Sequence, residues 1–152
     1  MISRKGLTLT ELLVVVSILF LLGAIAFSVL SGFRRTSILN AAVEDGISLL
    51  YQARSRTLSS QSALQHGVHF ESGRMVLFRG ATYSSGESTN EIVLLPNGVE
   101  ISTITLNGGG VDVIFLRLTG ATNNFGSTTF RSKYDTSITK TINIQASGAP
   151  GL

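Results

Sequence analysis

The side chains in this sequence that could serve as catalysts or metal ligands are few and scattered. His66 and His69 are the only histidines, and cysteine is absent. Side chains alternate along a strand, so a spacing of three places the two imidazoles on opposite faces, where they cannot simply share one metal ion. Asp112 and Asp135 are isolated carboxylates rather than an acid–base pair. We therefore interpret both histidines as ordinary strand or surface residues.

Other patterns of catalysis and ligand binding are also missing. No Gly-x-Ser-x-Gly motif stands between a strand and a helix, which is where a serine nucleophile would be expected. The three glycines at 108–110 lie between expected strands and do not open a helix, so they form a poor phosphate cradle. The EF-hand spacing is absent, although a calcium site in a loop stays open as an alternative. The sequence predicts no enzyme, no cofactor and no metal centre.

Three cations near the end of the chain, Arg131, Lys133 and Lys140, raise the question of nucleic-acid binding. The chain has 12 basic and 9 acidic residues, and two of the basic ones are Arg4 and Lys5, so without those two the balance is nearly neutral. Lysine and arginine are common on solvated strand edges, which is the simpler interpretation. The alternative is a DNA-contacting patch, in which a nearby tyrosine at 134 would be the one aromatic able to stack.

The strongest signal is an acidic residue, Glu11, at the head of a long apolar run. Residues 12–33 contain no ionisable side chain in 22 positions. About 20 apolar residues cross a bilayer as a helix, so the run predicts a transmembrane segment. Basic pairs at 4–5 and 34–35 flank it on both sides, so the positive-inside rule gives little information on orientation.

Three interpretations of this N-terminal segment compete. A secretory signal peptide would use Ala-Ile-Ala at 24–26 as its cleavage site, but the apolar residues continue beyond that point and Glu11 is out of place in it. A plain membrane anchor would let Glu11 reach the headgroups, at small cost near a helix end. The third interpretation depends on the order of the residues around Gly6.

The stretch KGLTLTELLVVVSIL resembles the class III leader of type IV pilins and type II secretion pseudopilins. The resemblance implies that a prepilin peptidase cuts between Gly6 and Leu7 and that Leu7 becomes the N-methylated first residue. It also implies that Glu11 meets the N-terminal amine of a neighbouring subunit during filament assembly. Phenylalanine is more common in that family where this chain has Leu7. A buried carboxylate is unfavourable unless it is paired, so such a contact would select one axial register.

The rest of the chain changes from a helical period to a period of two. Apolar residues in 37–59 fall on one helical stripe, namely Leu39, Val43, Ile47, Leu50, Ala53 and Leu58. Two short strands are expected around a turn at 71–74, and two more around Pro-Asn-Gly at 96–98. A strand covered on both faces is expected at 111–118, and the last strands at STTFRS and KTINIQ. About seven strands after one helix predict an α+β fold with a mainly antiparallel sheet or small sandwich.

The C-terminal region narrows the resemblance to the GspH/FimT group of minor pseudopilins and minor pilins. LLYQARSRTLSSQSALQHGVHF is similar to the Ala-Arg region and first strand of that group, and VIFLRLTGATNNFGSTTF to its Phe-x-x-x-x-Gly segment. KTINIQASG resembles its final strand, ending in Gly148, although Ala149 stands where an arginine often follows. These similarities are looser than those of the first 30 residues.

The sequence thus predicts a leader at 1–6, a transmembrane assembly helix at 7–33, an amphipathic helix at 34–60 and a β-rich domain at 61–152. The resemblance implies a single-pass inner-membrane subunit with an exported domain, which later enters a pilus or pseudopilus. Its implied partners are the membrane, a prepilin peptidase, an assembly platform driven by a cytoplasmic ATPase, and sibling pilins. The alternative is an anchored binding module that captures DNA or a surface ligand without polymerising.

Overall fold

One long helix is followed by eight strands. The computed structural model describes residues 8–59 and 64–152. Helix α1 spans Leu9–Leu58, and the strands are β1 His66–Glu71, β2 Arg74–Arg79, β3 Glu91–Leu94, β4 Val99–Leu106, β5 Asp112–Ile114, β6 Gly126–Ser132, β7 Thr139–Ile144 and β8 Pro150–Gly151. Sheet pairing is antiparallel throughout these strands. The expected α+β fold is confirmed.

By its contacts the chain divides into two units, Met1–Arg35 and Thr36–Leu152. The helical part of the first unit is rich in leucine and valine and contains no proline, so nothing interrupts its backbone hydrogen bonds. An 18-residue window near the N-terminus has a mean hydropathy of 2.9, and none of it is buried. This helix is therefore long and apolar enough to cross a membrane.

In the second unit, one stripe of α1 is buried against the strands. The buried positions are Leu39, Ala42, Val43, Leu49, Leu50, Ala53 and Thr57. Thr57 occupies the place that the sequence predicted for Leu58, which is 43% exposed. The reason is geometric, since Thr57 lies four residues after Ala53 on the same row of the helix. Its hydroxyl donates to the Ala53 carbonyl at 2.8 Å and accepts from the His66 amide at 2.9 Å.

The strands form two four-stranded sheets, in the orders β3-β2-β1-β5 and β4-β6-β7-β8. The hairpin expected around 71–74 is present as β1 and β2. The turn at 96–98 is also present, but the strands on either side of it do not pair with each other: β3 pairs with β2, and β4 pairs with β6. The backbone around Pro96 is tied to the β1–β2 turn instead, because Leu95 donates to Gly73 and Ile101 donates to Ser72, each at 3.0 Å. The chain passes from one sheet to the other at this point.

The strand expected at 111–118 is shorter than predicted. It is regular only over Asp112–Ile114, after which Phe115 makes a single bridge to Thr122. The chain then reverses, with the Leu116 amide donating to the Ala121 carbonyl at 2.7 Å. Val113 and Phe115 are buried, whereas Val111 is 38% exposed and Leu118 is 86% exposed, so the segment is covered only in its middle.

A single hydrophobic core joins the buried stripe of α1 to the inner faces of both sheets. The helix approaches the sheets closely at Gly46, where a Cβ atom would lie 2.9 Å from Ile142 Cδ1, 3.2 Å from Phe130 Cζ and 3.3 Å from Met75 Sδ. Met75 belongs to one sheet and the other two residues to the second, so the helix meets both sheets at this glycine. Burial of such apolar side chains is the main source of stability in a domain of this size.

Candidate functional site

The two predicted processing residues, Gly6 and Leu7, lie outside the residues that the structure describes. The first described residue, Thr8, caps helix α1. Its Oγ1 atom accepts a hydrogen bond from the Glu11 amide at 3.3 Å, and its carbonyl accepts from the Leu12 amide at 3.1 Å. Thr-x-x-Glu is the spacing of a capping box. This arrangement places Glu11 in the first turn, where the helix dipole favours a negative charge.

The side chain of Glu11 is exposed, and its neighbours on the helix are apolar. Leu12 and Leu13 are 57% and 60% exposed, and Leu9 is 77% exposed. None of the ion pairs found within residues 8–59 and 64–152 includes Glu11. If this part of the helix lies in lipid, its carboxylate gains free energy from a cation brought by another group.

The apolar part of α1 offers surface to a second helix. A shallow groove of about 480 Å³ runs along it, lined by Val16, Ser17, Phe20, Leu21 and Ala24. The Ser17 hydroxyl donates to the Leu13 carbonyl at 2.8 Å, so its polar group is satisfied within the helix. Small residues such as serine and alanine allow close approach of helices in a membrane.

The three cations proposed as a DNA patch are not grouped on one face of the β6–β7 ladder. Arg131 bonds to Glu100 across the sheet, through Nε at 3.1 Å and through Nη2. Lys140 pairs in register with Phe130, so it lies on the opposite face from Arg131. Lys133 follows the end of β6, and its amide donates to the Gly98 carbonyl at 2.8 Å. The positive charge of Arg131 is therefore paired with the carboxylate of Glu100.

The two histidines lie on opposite faces of β1, as their spacing predicts. His66 is only 5% exposed. Burial lowers the pKa of His66, and the positive charges of Arg56 and Arg79 lower it further. Its Nδ1 atom is buried and has no hydrogen-bond partner among the described residues.

His69 belongs to a polar cluster that sequence reasoning did not find. Its Nδ1 atom lies 2.5 Å from Asp112 Oδ1, and its Nε2 atom lies 3.4 Å from Glu71 Oε1. The ring of Tyr83 stacks on the imidazole with a centroid separation of 3.8 Å. Arg74 donates to both carboxylate oxygens of Glu71, each at 2.8 Å, and this lowers the pKa of Glu71.

Only part of this cluster had a signal in the sequence. Glu71 and Arg74 flank the predicted turn, so their contact follows from the hairpin. Asp112 reaches His69 because β5 pairs with β1, a long-range contact that no local pattern predicts. In the described parts of the chain, no set of three histidine, cysteine or acidic residues is arranged to hold a metal ion.

An ion pair ties the end of α1 to the edge of the first sheet. Arg56 contacts Glu91 through the two terminal nitrogens of its guanidinium: Nη1 bonds to Oε1, and Nη2 lies 3.0 Å from Oε2. This hydrogen bonding lowers the pKa of the Glu91 carboxyl. The pair lies at the surface, so its contribution to stability is small.

Comparisons of this chain with models of protein families, with curated proteins and with solved structures find no match. The exposed apolar part of α1, with Glu11 in its first turn, is the feature most in need of a functional explanation.

Proposed function

We propose that this chain is a prepilin-like structural subunit, either a minor pilin or a pseudopilin, and that it has no catalytic activity. A prepilin peptidase removes residues 1–6, and the mature chain assembles into a type IV pilus or a type II secretion pseudopilus. The observation that carries this proposal is a 50-residue helix that contains an exposed apolar window of 18 residues and has Glu11 in its first turn. The leader-like sequence around Gly6 supports it.

The physical basis of the proposal is charge pairing in a medium of low polarity. Cleavage after Gly6 creates an amine on Leu7, one helical turn before Glu11. In a filament, the Glu11 carboxylate of one copy meets that amine on its neighbour. An ion in lipid is unfavourable when alone and more favourable when paired, so the contact favours one relative position of the two helices.

The second unit supports an exported role, because its hydrophobic core is built from residues of that unit alone, including the C-terminal part of α1. A domain of this kind stays folded while the membrane segment moves from lipid into a filament. Its surface then determines which other subunits or ligands are contacted. The partnership of Arg131 with Glu100 gives no support to DNA as that ligand.

Substitution of Glu11 tests the assembly step. Glu11→Val removes the carboxylate while keeping the helix apolar, and we expect processing and membrane insertion to continue. Subunits in sheared filaments should fall at least about tenfold, since the loss of a paired charge in lipid costs more than about 1.4 kcal/mol. The measurement is the ratio of subunit in sheared filaments to subunit in membranes.

Glu87→Gln is the matched control, because Glu87 is an exposed acid in a loop of the second unit. It should leave the ratio unchanged. Normal assembly of the Glu11→Val chain would contradict the proposal and favour the anchored binding module, which needs no polymer.

A further inference from the structure

A strained and exposed leucine marks one loop of the second unit. Among the described residues, Leu118 is the one non-glycine with positive φ, at 73°. Its side chain is 86% exposed. A left-handed backbone is unfavourable for a leucine, and exposure brings no burial to offset it. Persistent strain of this kind is typical of sites that contact something.

The loop that presents Leu118 is firmly held. The Gly120 amide donates to the Leu116 carbonyl at 2.9 Å. From helix α1, the Arg54 guanidinium donates to the Gly120 carbonyl at 3.0 Å and to the Ser147 carbonyl at 3.3 Å. The leucine is therefore fixed before any partner arrives, which reduces the entropy lost on binding.

A positive charge stands beside this leucine. Arg117 is exposed, and none of the ion pairs found in the described chain includes it. We call residues 117–118 the loop tip. The tip combines an apolar side chain with a cation, so a complementary surface needs an apolar patch next to an acid.

The exposed side of helix α1 within the second unit carries two acids close to an aromatic ring. Glu44 and Asp45 are exposed, adjacent and absent from the ion pairs of the described residues. Ser48 follows one turn later, and then Tyr51, which is 48% exposed. The Tyr51 hydroxyl donates to the Pro150 carbonyl at 3.3 Å, which holds the ring in place. We call the exposed residues Glu44, Asp45, Ser48 and Tyr51 the helix stripe, which is distinct from the buried stripe of α1.

The order of residues on the stripe defines one way for the two surfaces to meet. With Arg117 opposite Asp45, Leu118 would lie towards Ser48 and Tyr51, which follow Asp45 at intervals of three residues on the same side of the helix.

We propose that the loop tip of one copy docks on the helix stripe of a second copy of this chain. The positive charge of Arg117 complements the acids of the stripe, which favours a second copy of this chain as the partner. The exposure of Leu118 shows that the tip is not packed within its own copy. Tip and stripe are different surfaces, so every docked copy still has one of each available, as growth of a filament requires. The inference rests on the proposed function, because it assumes that subunits associate and adds a second contact between them, within the second unit.

Cross-linking tests the contact directly, because the chain has no cysteine. Full-length Thr119→Cys and Ser48→Cys chains with different tags, both retaining Leu118, are produced in one membrane and treated with a short bismaleimide. We expect a cross-linked product containing both tags. Thr139→Cys, an exposed position on β7, replaces Ser48→Cys as the control and should give at least about tenfold less product. Equal yields for the two pairs would overturn the proposal.

Charge reversal tests the same contact in a second way. Arg117→Glu in the tip should lower the yield about tenfold, the effect of losing a close charge pair, and Asp45→Arg in the partner should restore it. Lys133→Glu is the control and should change nothing. An unchanged yield with Arg117→Glu, or no recovery in the double reversal, would overturn the proposal.

Replacement of Leu118 separates docking from a role in folding. Asparagine adopts positive φ more readily than leucine, so Leu118→Asn should keep or raise the thermal midpoint of the full chain. In the docking proposal it nevertheless lowers cross-linking between Thr119→Cys and Ser48→Cys chains. A fall in the midpoint with unchanged cross-linking would mean that Leu118 serves the fold alone.

These outcomes are independent of the Glu11 test. Filaments without the tip–stripe cross-link would leave the subunit proposal standing and overturn the docking surface. A Glu11→Val chain that assembles normally and still gives the tip–stripe cross-link would overturn the subunit proposal and leave the docking surface standing.

Discussion

Among single residues, the two ionisable groups with the clearest physical consequences are Glu11 and His66. Glu11 is exposed on an apolar helix, where a lone carboxylate has no stabilising partner in lipid. His66 is buried beside two arginines whose charges oppose its protonation. For Glu11 we propose association as the explanation, whereas the burial of His66 has a consequence for folding that does not depend on any partner.

His66 should make the second unit less stable as the pH falls. Its pKa in the folded chain is lowered from the ordinary 6.5, chiefly by burial, so below that pH the unfolded chain binds more protons than the folded one. Stability therefore decreases as the pH falls from about 7.5 to 5.5, since it rises with pH wherever the unfolded state binds more protons. The measurement is the thermal midpoint of the full chain in detergent at both pH values.

His66→Leu should reduce this pH dependence. The lowered pKa values of Glu71 and Glu91 do not interfere, because their contribution is lost mainly below their ordinary value of 4.5. A midpoint that is equally pH-dependent in the wild type and the variant would show that another group is responsible.

Sequence reasoning identified some of these residues and missed others for understandable reasons. Glu11 was visible because a single acid in an apolar run is a local feature. The His69–Asp112 contact was invisible, because it depends on the pairing of β1 with β5. Leu118 was missed because its type gives no sign of a positive φ.

At the level of elements, local patterns predicted strands and turns better than their pairing. The 3.6-residue period of α1 correctly gave Leu39, Val43, Leu50 and Ala53 as buried. The turn at 96–98 was also correct, but a turn signal does not reveal that β3 and β4 belong to different sheets. The strand expected at 111–118 ends early because the chain turns back there: Leu116 bonds locally to Ala121, and Arg54 of helix α1 bonds to Gly120.

Gly148 provides a test of how this loop is held. It has a φ of 79°, and a Cβ atom there would lie 1.9 Å from the Gly120 carbonyl oxygen. Gly148→Ala should therefore lower the free energy of unfolding by about 1–3 kcal/mol, the cost of a strained backbone position. Denaturant titration of the full chain in detergent measures the change.

Gly73→Ala is the matched control, because no atom lies within 4 Å of its Cβ position. Its effect should stay within about 1 kcal/mol. Equal losses in the two variants would show that Gly148 is not required for close packing against Gly120.

For the molecule as a whole, composition and periodicity were sufficient to predict an α+β fold. One helix followed by short strands leaves few other ways to bury the apolar stripe of α1, and the structure contains that stripe in a core with both sheets. The sequence also predicted a helix able to span a membrane, and α1 has the required length and hydropathy. The sequence left a single sheet and a small sandwich both open, and it could not assign each strand to one of the two sheets, since that depends on contacts between distant segments.

The most direct test of the proposed charge pairing is the intact mass of the full chain purified from its native membrane. Pairing of Glu11 with a neighbour requires a free amine at Leu7. We predict a mass that lacks residues 1–6 and carries one added methyl group, with Leu7 as the modified N-terminal residue. A chain that still begins at Met1, or that begins after Ala26, would contradict the proposal.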